Sequence, residues 1–297
     1  MISGHALSAQ RSKISKSKDS QEASPMALLE RESADALRYW ATSVKTGLDT
    51  SWRPEALAIG ERLMTKLWNA CRFAESHFTD VSPAFAQDEL PASLLPIDRW
   101  LLSSLQRTIA RATEALEEGD YAAARADVER FFWSELCDNY LELVKARLYG
   151  EVGLARAAAQ WTLYHALLGT LLMLAPYMPY ITEELYQQLF RRWYGAISIH
   201  RAAWPVAHTA WIDSKAEEFG SAILELLRQV RRYKAERGLS VGAELEQLLI
   251  IVPRSLHPAF AASVQDIRSA TRVQHLWFET PSEDEAGKTI SLHFDTL

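Results

Sequence analysis

A helical period runs through this chain from Pro54 to about Arg237 and limits the folds open to it. Leu63, Leu67, Cys71 and Ala74 return every three or four residues and share one helix face. Pro83, Pro91 and Pro96 mark the segment from Ser82 to Pro96 as a loop. A second helix is predicted from an Asp98 N-cap, with Leu101, Leu105, Ile109, Ala112 and Leu116 as its inner stripe. Gly119 stops it and Asp120 caps a third, lined by Val128, Phe132, Leu136, Tyr140 and Leu143. A fourth covers Leu154 to Leu174 and is halted by Pro176 and Pro179. Thr182 is then expected to cap a fifth, with Glu183 and Glu184 in its first turn. Amphipathic helices in succession with short connections predict a mainly α fold, an antiparallel helical bundle.

The pattern changes after Trp204-Pro205. Ser214 to Arg237 reads as a basic helix ending at Gly238. Leu245 to Val252, Val273 to Glu279 and Thr289 to Phe294 read as strands, with a helix over Ala259 to Arg268. Together they predict a small C-terminal α/β subdomain. The first 33 residues carry no helical period and read as a loop.

At 297 residues the chain can bury a sizeable core. The apolar run around Leu167 to Ala175 is too short to span a bilayer, so no membrane association is expected. Two widely separated cysteines, Cys71 and Cys137, read as buried thiols of a reducing compartment. The eight histidines show no ligand spacing, and no metal site is expected.

The net charge of −6 is unevenly placed. The first eighteen residues are basic among their charges, with Lys13-Ile14-Ser15-Lys16-Ser17 between Arg11 and Lys18. Lysines separated by small hydroxyl residues suit a loop that neutralises a polyphosphate, although five such residues alone also fit a basic terminus. A second cluster, Arg228, Arg231, Arg232, Lys234 and Arg237, fits either the tracking of RNA phosphates or a solvated helix face. Trp68, Trp100, Trp133 and Trp161 sit in helical settings that favour core packing over base stacking. Cys137-Asp138 near Glu135 has no helically adjacent histidine and reads as a core thiol.

Several segments in order resemble a known family. Gly4-His5-Ala6-Leu7, the lysine run and Ser33-Ala34-Asp35-Ala36-Leu37-Arg38-Tyr39-Trp40 follow the order around the KMSKS loop of class I aminoacyl-tRNA synthetases. Lys66-Leu67-Trp68-Asn69-Ala70-Cys71-Arg72-Phe73, Cys137-Asp138-Asn139-Tyr140 and Ala175-Pro176-Tyr177-Met178-Pro179-Tyr180 narrow the resemblance to the valyl-tRNA synthetase family. Arg231-Arg232-Tyr233-Lys234-Ala235-Glu236-Arg237-Gly238 resembles its archaeal-type branch.

The resemblance implies the C-terminal portion of such an enzyme, cytoplasmic and monomeric, acting in ATP-dependent charging of tRNA(Val) with valine. It divides the chain into a loop remnant (1–33), a connecting helix region (34–53), an anticodon-binding bundle (54–205) and a basic helix with the α/β subdomain (206–297). Lys16, assisted by Lys13, would contact the phosphates of ATP, supplied with Mg2+, while Ser15 and Ser17 would shape the loop and donate hydrogen bonds to the bound nucleotide. Asn69 and Arg72, with Arg228, Arg231, Arg232 and Lys234, are the candidate tRNA contacts, and Asn69 could equally brace the bundle.

Two departures qualify the resemblance. Asp19-Ser20 stand where the family has Gly-Asn, and a carboxylate there opposes bound phosphate. The HIGH-motif Rossmann half, the amino-acid pocket and the editing domain have no counterpart in these residues. The chain alone is therefore expected to bind no cofactor and to be inactive in aminoacylation, unless a split partner supplies the catalytic half. A free-standing tRNA-binding module and a helical protein-interaction bundle are the alternatives.

Overall fold

The computed structural model describes residues 6–7, 28–51, 54–81, 89–281 and 290–295. The expected lysine loop, with Lys13, Ser15, Lys16 and Ser17, lies outside the described residues. The described chain is mainly helical with a small sheet, as the hydrophobic period predicts. It forms two compact units. One takes the described residues of 1–79, 107–130 and 167–207, and the other those of 80–106, 131–166 and 208–297.

In the first unit a short parallel pair joins β1 (Ala6–Leu7) to β2 (Thr50–Ser51). Helix α1 (Ala34–Ala41) begins at Ser33, whose hydroxyl accepts the Ala36 N–H at 3.0 Å. Helix α2 (Pro54–His77) buries the predicted stripe of Leu63, Leu67, Cys71 and Ala74. Tyr39 of α1 is buried, and a Cβ added at Gly60 of α2 would lie 3.1 Å from its ring, so the small residue lets the two helices approach. The Tyr39 hydroxyl donates to Glu129 at 2.8 Å, and the Arg125 guanidinium stacks 3.9 Å from its ring centroid. Burial raises this phenol to about 12.

Helix α3 (Pro96–Glu117) ends at Gly119, which takes φ 78°, and Asp120 caps α4 (Tyr121–Arg130) by accepting the Ala123 N–H. The predicted third helix does not continue as one α-helix. A π-helical segment, Phe131–Tyr140, separates α4 from α5 (Leu141–Tyr149). Its wider turn brings residues five apart nearer to one side than an α-helix would, and Phe131, Phe132, Leu136 and Cys137 are all buried. Val128, Phe132, Leu136, Tyr140 and Leu143 are all buried as expected, and so are both cysteines. Helix α6 (Leu154–Leu174) has its predicted bounds.

Helix α7 (Pro179–Leu189) starts three residues before the expected Thr182 cap. Pro179 at N1 removes one of the four orphan donors. The buried Asp35 carboxylate, from α1, accepts the next two, Tyr180 N–H at 3.2 Å and Ile181 N–H at 2.7 Å. Thr182 instead lies inside the helix and donates to the Met178 carbonyl at 2.8 Å. Burial pushes the Glu183 carboxyl up, but hydrogen bonds from the Gln187 amide, the Ile199 N–H and Ser198 Oγ together hold it below the usual range. The short helix α8 (Arg191–Tyr194) closes on Gly195 at φ 88°.

In the second unit α9 (Ser214–Glu236) is capped by Asp213 and stops before Gly238 at φ 65°. Gly220 is required there. A Cβ at that position would fall 1.9 Å from the Trp100 ring. Strand β3 (Leu245–Ile251) is central in the order β4-β3-β5. It pairs in parallel with β4 (Val273–Glu279), reached through α10 (His257–Ala262) and α11 (Val264–Thr271), and antiparallel with β5 (Ser291–Asp295). The predicted helix over 259–268 is thus two short helices, divided at the buried Ser263.

Asp98 departs most from its expected role. It is not the N-cap but the third residue of α3, and it is fully buried. Its carboxylate reaches back to the Leu95 N–H, the acidic half of a capping box. It also accepts the Tyr140 hydroxyl at 2.8 Å and both terminal nitrogens of Arg147 at 2.9 and 2.8 Å. The Arg147 Nε donates to Asp266 of α11 at 3.0 Å. Helices α3, α5 and α11 therefore meet on one buried guanidinium, with Tyr140 bonded to the same Asp98 carboxylate, and the two carboxylates hold it charged against the cost of burial.

Candidate nucleic-acid interface

Helix α2 has two unlike sides. Opposite its buried stripe stand Thr65, Trp68, Asn69, Arg72 and Ser76, all exposed. Trp68 keeps 38% of its surface open although tryptophan is among the residues most costly to leave in water. Trp68 and Arg72 are four residues apart and therefore neighbours on the helix. Arg72 also pairs with Glu75 on the same face. An indole offers a stacking surface, an amide offers a donor and an acceptor to a base edge, and a guanidinium offers charge to phosphate. The structure brings Asn69 and Arg72 onto this face together with Trp68, which the sequence pattern favoured as core. The other three tryptophans follow that pattern more closely. Trp100 and Trp161 are buried and Trp133 is half-buried.

The basic cluster of α9 divides when placed in space. Arg228 is exposed and bidentate to Glu225 at 2.7 and 2.6 Å, which holds that carboxyl below its usual range. Arg232 is exposed and paired with Glu236 at 2.7 Å. Arg231 donates to the Asp138 carbonyl at 2.7 Å. Arg237 lies over the Tyr233 ring at 3.8 Å.

Lys234 leaves the expected phosphate-tracking set. Only 2% exposed, its ammonium donates to the carbonyls of Val241, Ala243 and Thr271 at 2.9, 2.7 and 3.0 Å. Its three donors are spent inside the fold, where it ties the end of α9 to the loops that start β3 and β4. Burial and, after it, the nearby Arg272 lower its pKa.

A hollow of about 950 Å³ in the first unit is lined by Ser33, Asp35, Met64, Tyr180, Glu183 and His200 among others. Its polar groups are engaged locally. Asp35 caps α7, Glu183 braces 198–199, and the His200 ring lies 3.1 Å from the Pro179 carbonyl. Among the described residues no group of three or more His, Cys, Asp or Glu side chains is placed to hold a metal ion. No helix there is long and apolar enough to cross a membrane.

A helical fold of this kind, with a small sheet attached, is found in the class I aminoacyl-tRNA synthetases. The agnB2 LeuRS of Agrobacterium radiobacter K84, solved as a ternary complex with tRNA and LeuAMS, superposes with a TM-score of 0.53 at 19% identity. The match covers 71% of this chain and 24% of that one. Residues 98–250 match the family model for the anticodon-binding domain of tRNA ligase, and the chain belongs to that family.

Among curated proteins, the valine–tRNA ligase of Methanopyrus kandleri is 39% identical over 285 residues, 94% of this chain and 30% of the relative. That of Ehrlichia ruminantium (strain Welgevonden) is 39% identical over 282 residues, 93% of this chain and 33% of the relative. The chain thus spans about a third of the length of these relatives.

Proposed function

We propose that this chain is the tRNA-holding part of a valine–tRNA ligase and presents the outer face of α2 to the anticodon arm of tRNA(Val). The observation that carries this reading is Trp68, an exposed indole flanked by Asn69 and Arg72 in a chain of the anticodon-binding family. The valine–tRNA ligases that match nearly all of the chain support the choice of tRNA. In this reading residues 34–53 connect the catalytic part to the bundle of 54–205, and 206–297 adds further contacts. Arg228, Arg231 and Arg232 supply charge near the RNA, while Lys234 holds the fold. Lys13 and Lys16, with Ser15 and Ser17, serve the phosphates of Mg2+-bound ATP during valine activation in the cytoplasmic enzyme. The catalytic remainder is joined in the same polypeptide or supplied as a split partner. The 297 residues alone are monomeric and do not charge tRNA.

Gel-shift titration of the purified chain with tRNA(Val) and with unrelated RNA tests this. Salt-dependent binding that prefers tRNA(Val) is expected. Absence of binding at low salt would favour a bundle that serves protein contacts only. Charging of tRNA with valine at enzyme-like rates by this chain alone would refute the predicted inactivity.

A further inference from the structure

The junction between α11 and β4 carries a feature that its fold does not require. Arg272 adopts φ 57° and ψ 34°, alone among the described non-glycine residues in the left-handed region. The reversal from helix to strand sets this geometry, since the Arg272 carbonyl accepts the Leu245 N–H at 2.9 Å to open the β3–β4 ladder. Glycine is the usual residue there, and a side chain in this conformation is a standing cost. What the position gains is the guanidinium.

That side chain is exposed and lines an open cleft of about 450 Å³ with Glu244, Arg268, Ser269, Val273 and Gln274. Arg268 is exposed as well and is oriented by donating from Nη2 to the Gln274 carbonyl at 2.6 Å. Among the described residues no carboxylate forms an ion pair with either arginine. The cleft's acid, Glu244, faces the Gln274 amide at 3.4 Å. The buried Lys234 ammonium, bonded to the adjacent Thr271 carbonyl, adds a third positive charge. These cations repel, and Arg272 lowers the pKa of Lys234. The α9 arginines differ, for Arg228 and Arg232 are already matched by glutamates.

We infer that Arg268 and Arg272 form a second RNA contact, a cleft that takes phosphodiester groups of the tRNA backbone. An RNA occupant is favoured by the same edge strand, where His275 and Trp277 are exposed and stacked with ring centroids 5.8 Å apart. They stand about 10–16 Å along β4 from Arg272, and aromatic faces of this kind receive unpaired bases. The inference rests on the tRNA-holding reading, and its residues are separate from the α2 face.

The test uses the full 297-residue chain and four variants: Arg272→Gly, Arg272→Lys, Arg268→Gln and Trp68→Ala. Arg272→Gly should raise Tm by about 2 °C, because it relieves the left-handed side chain. It should also weaken tRNA binding roughly fivefold and reduce the slope of log K against log salt by about 1, alike for tRNA and unrelated RNA. Arg268→Gln should reduce the slope similarly, and Arg272→Lys should preserve it. A more stable Arg272→Gly variant with unchanged affinity and salt slope overturns the inference. If Trp68→Ala weakens tRNA binding in that case, the tRNA-holding reading survives without the cleft. If the wild-type chain binds no tRNA, both fall.

Discussion

Helices α2 and α9 each turn a polar face to solvent, and the difference between those faces separates charge that is present from charge that is available. The α9 face is much the more basic in sequence. In the fold, Glu225 and Glu236 match Arg228 and Arg232, a backbone carbonyl holds Arg231, and Lys234 is buried against three carbonyls. The α2 face carries less charge but leaves an indole and an amide open beside one paired guanidinium. Recognition of unpaired bases depends more on such groups than on net charge, which supplies affinity without selectivity.

The largest effect should come from the residue that α9 conceals. Lys234→Ala would take the ammonium from the carbonyls of Val241, Ala243 and Thr271, the last of them buried, and is expected to destabilise the second unit by about 3 kcal/mol. Chemical unfolding measures this. A loss below about 1 kcal/mol would return Lys234 to the exposed set and blur the contrast with α2.

A pH effect of intermediate size comes from Asp266. Burial, partly offset by Arg147 and reinforced by Asp98, raises its carboxyl to about 6. A folded-state value above the ordinary 3.8 means that the native state binds the extra proton between about pH 4 and 6. Asp266 should therefore add stability as pH falls through 6 and lose that contribution as pH rises toward 7. The difference in unfolding free energy between wild type and Asp266→Asn should show this slope. A flat difference across pH 4–7 would contradict it. The smallest effects belong to Arg228→Gln and Arg232→Gln, whose charges are already matched on the surface. Both should leave Tm unchanged and tRNA affinity within about twofold, as thermal scans and filter binding can check.

The helical period made most of the fold legible, because burial of an apolar stripe is a local signal repeated over many turns. The bounds of α6 and β4, the Gly119 and Gly238 stops and the Asp120 cap were all readable from neighbouring residues. Asp98 and Thr182 were not, since both resemble caps while their partners are set by tertiary structure. Asp98 meets Arg147 49 residues away, and α7 takes its cap from Asp35, 145 residues before Tyr180. The π segment was hidden because its inner residues also fit an α stripe. Within the candidate interface, sequence order singles out Asn69 and Arg72 as candidates, and both are exposed. It could not tell Lys234 from its exposed neighbours, nor Trp68 from the buried tryptophans, because each distinction depends on what packs against the helix.

Whether the chain holds tRNA through the open face of α2 is decided by comparing tRNA(Val) binding of the wild type, Trp68→Ala and the Arg228→Gln/Arg232→Gln double variant at fixed salt. Trp68→Ala should lose about tenfold or more in affinity with an unchanged Tm, and the double variant should change by no more than about threefold. The reverse order, a large loss for the arginine pair and none for Trp68, would contradict this role of α2.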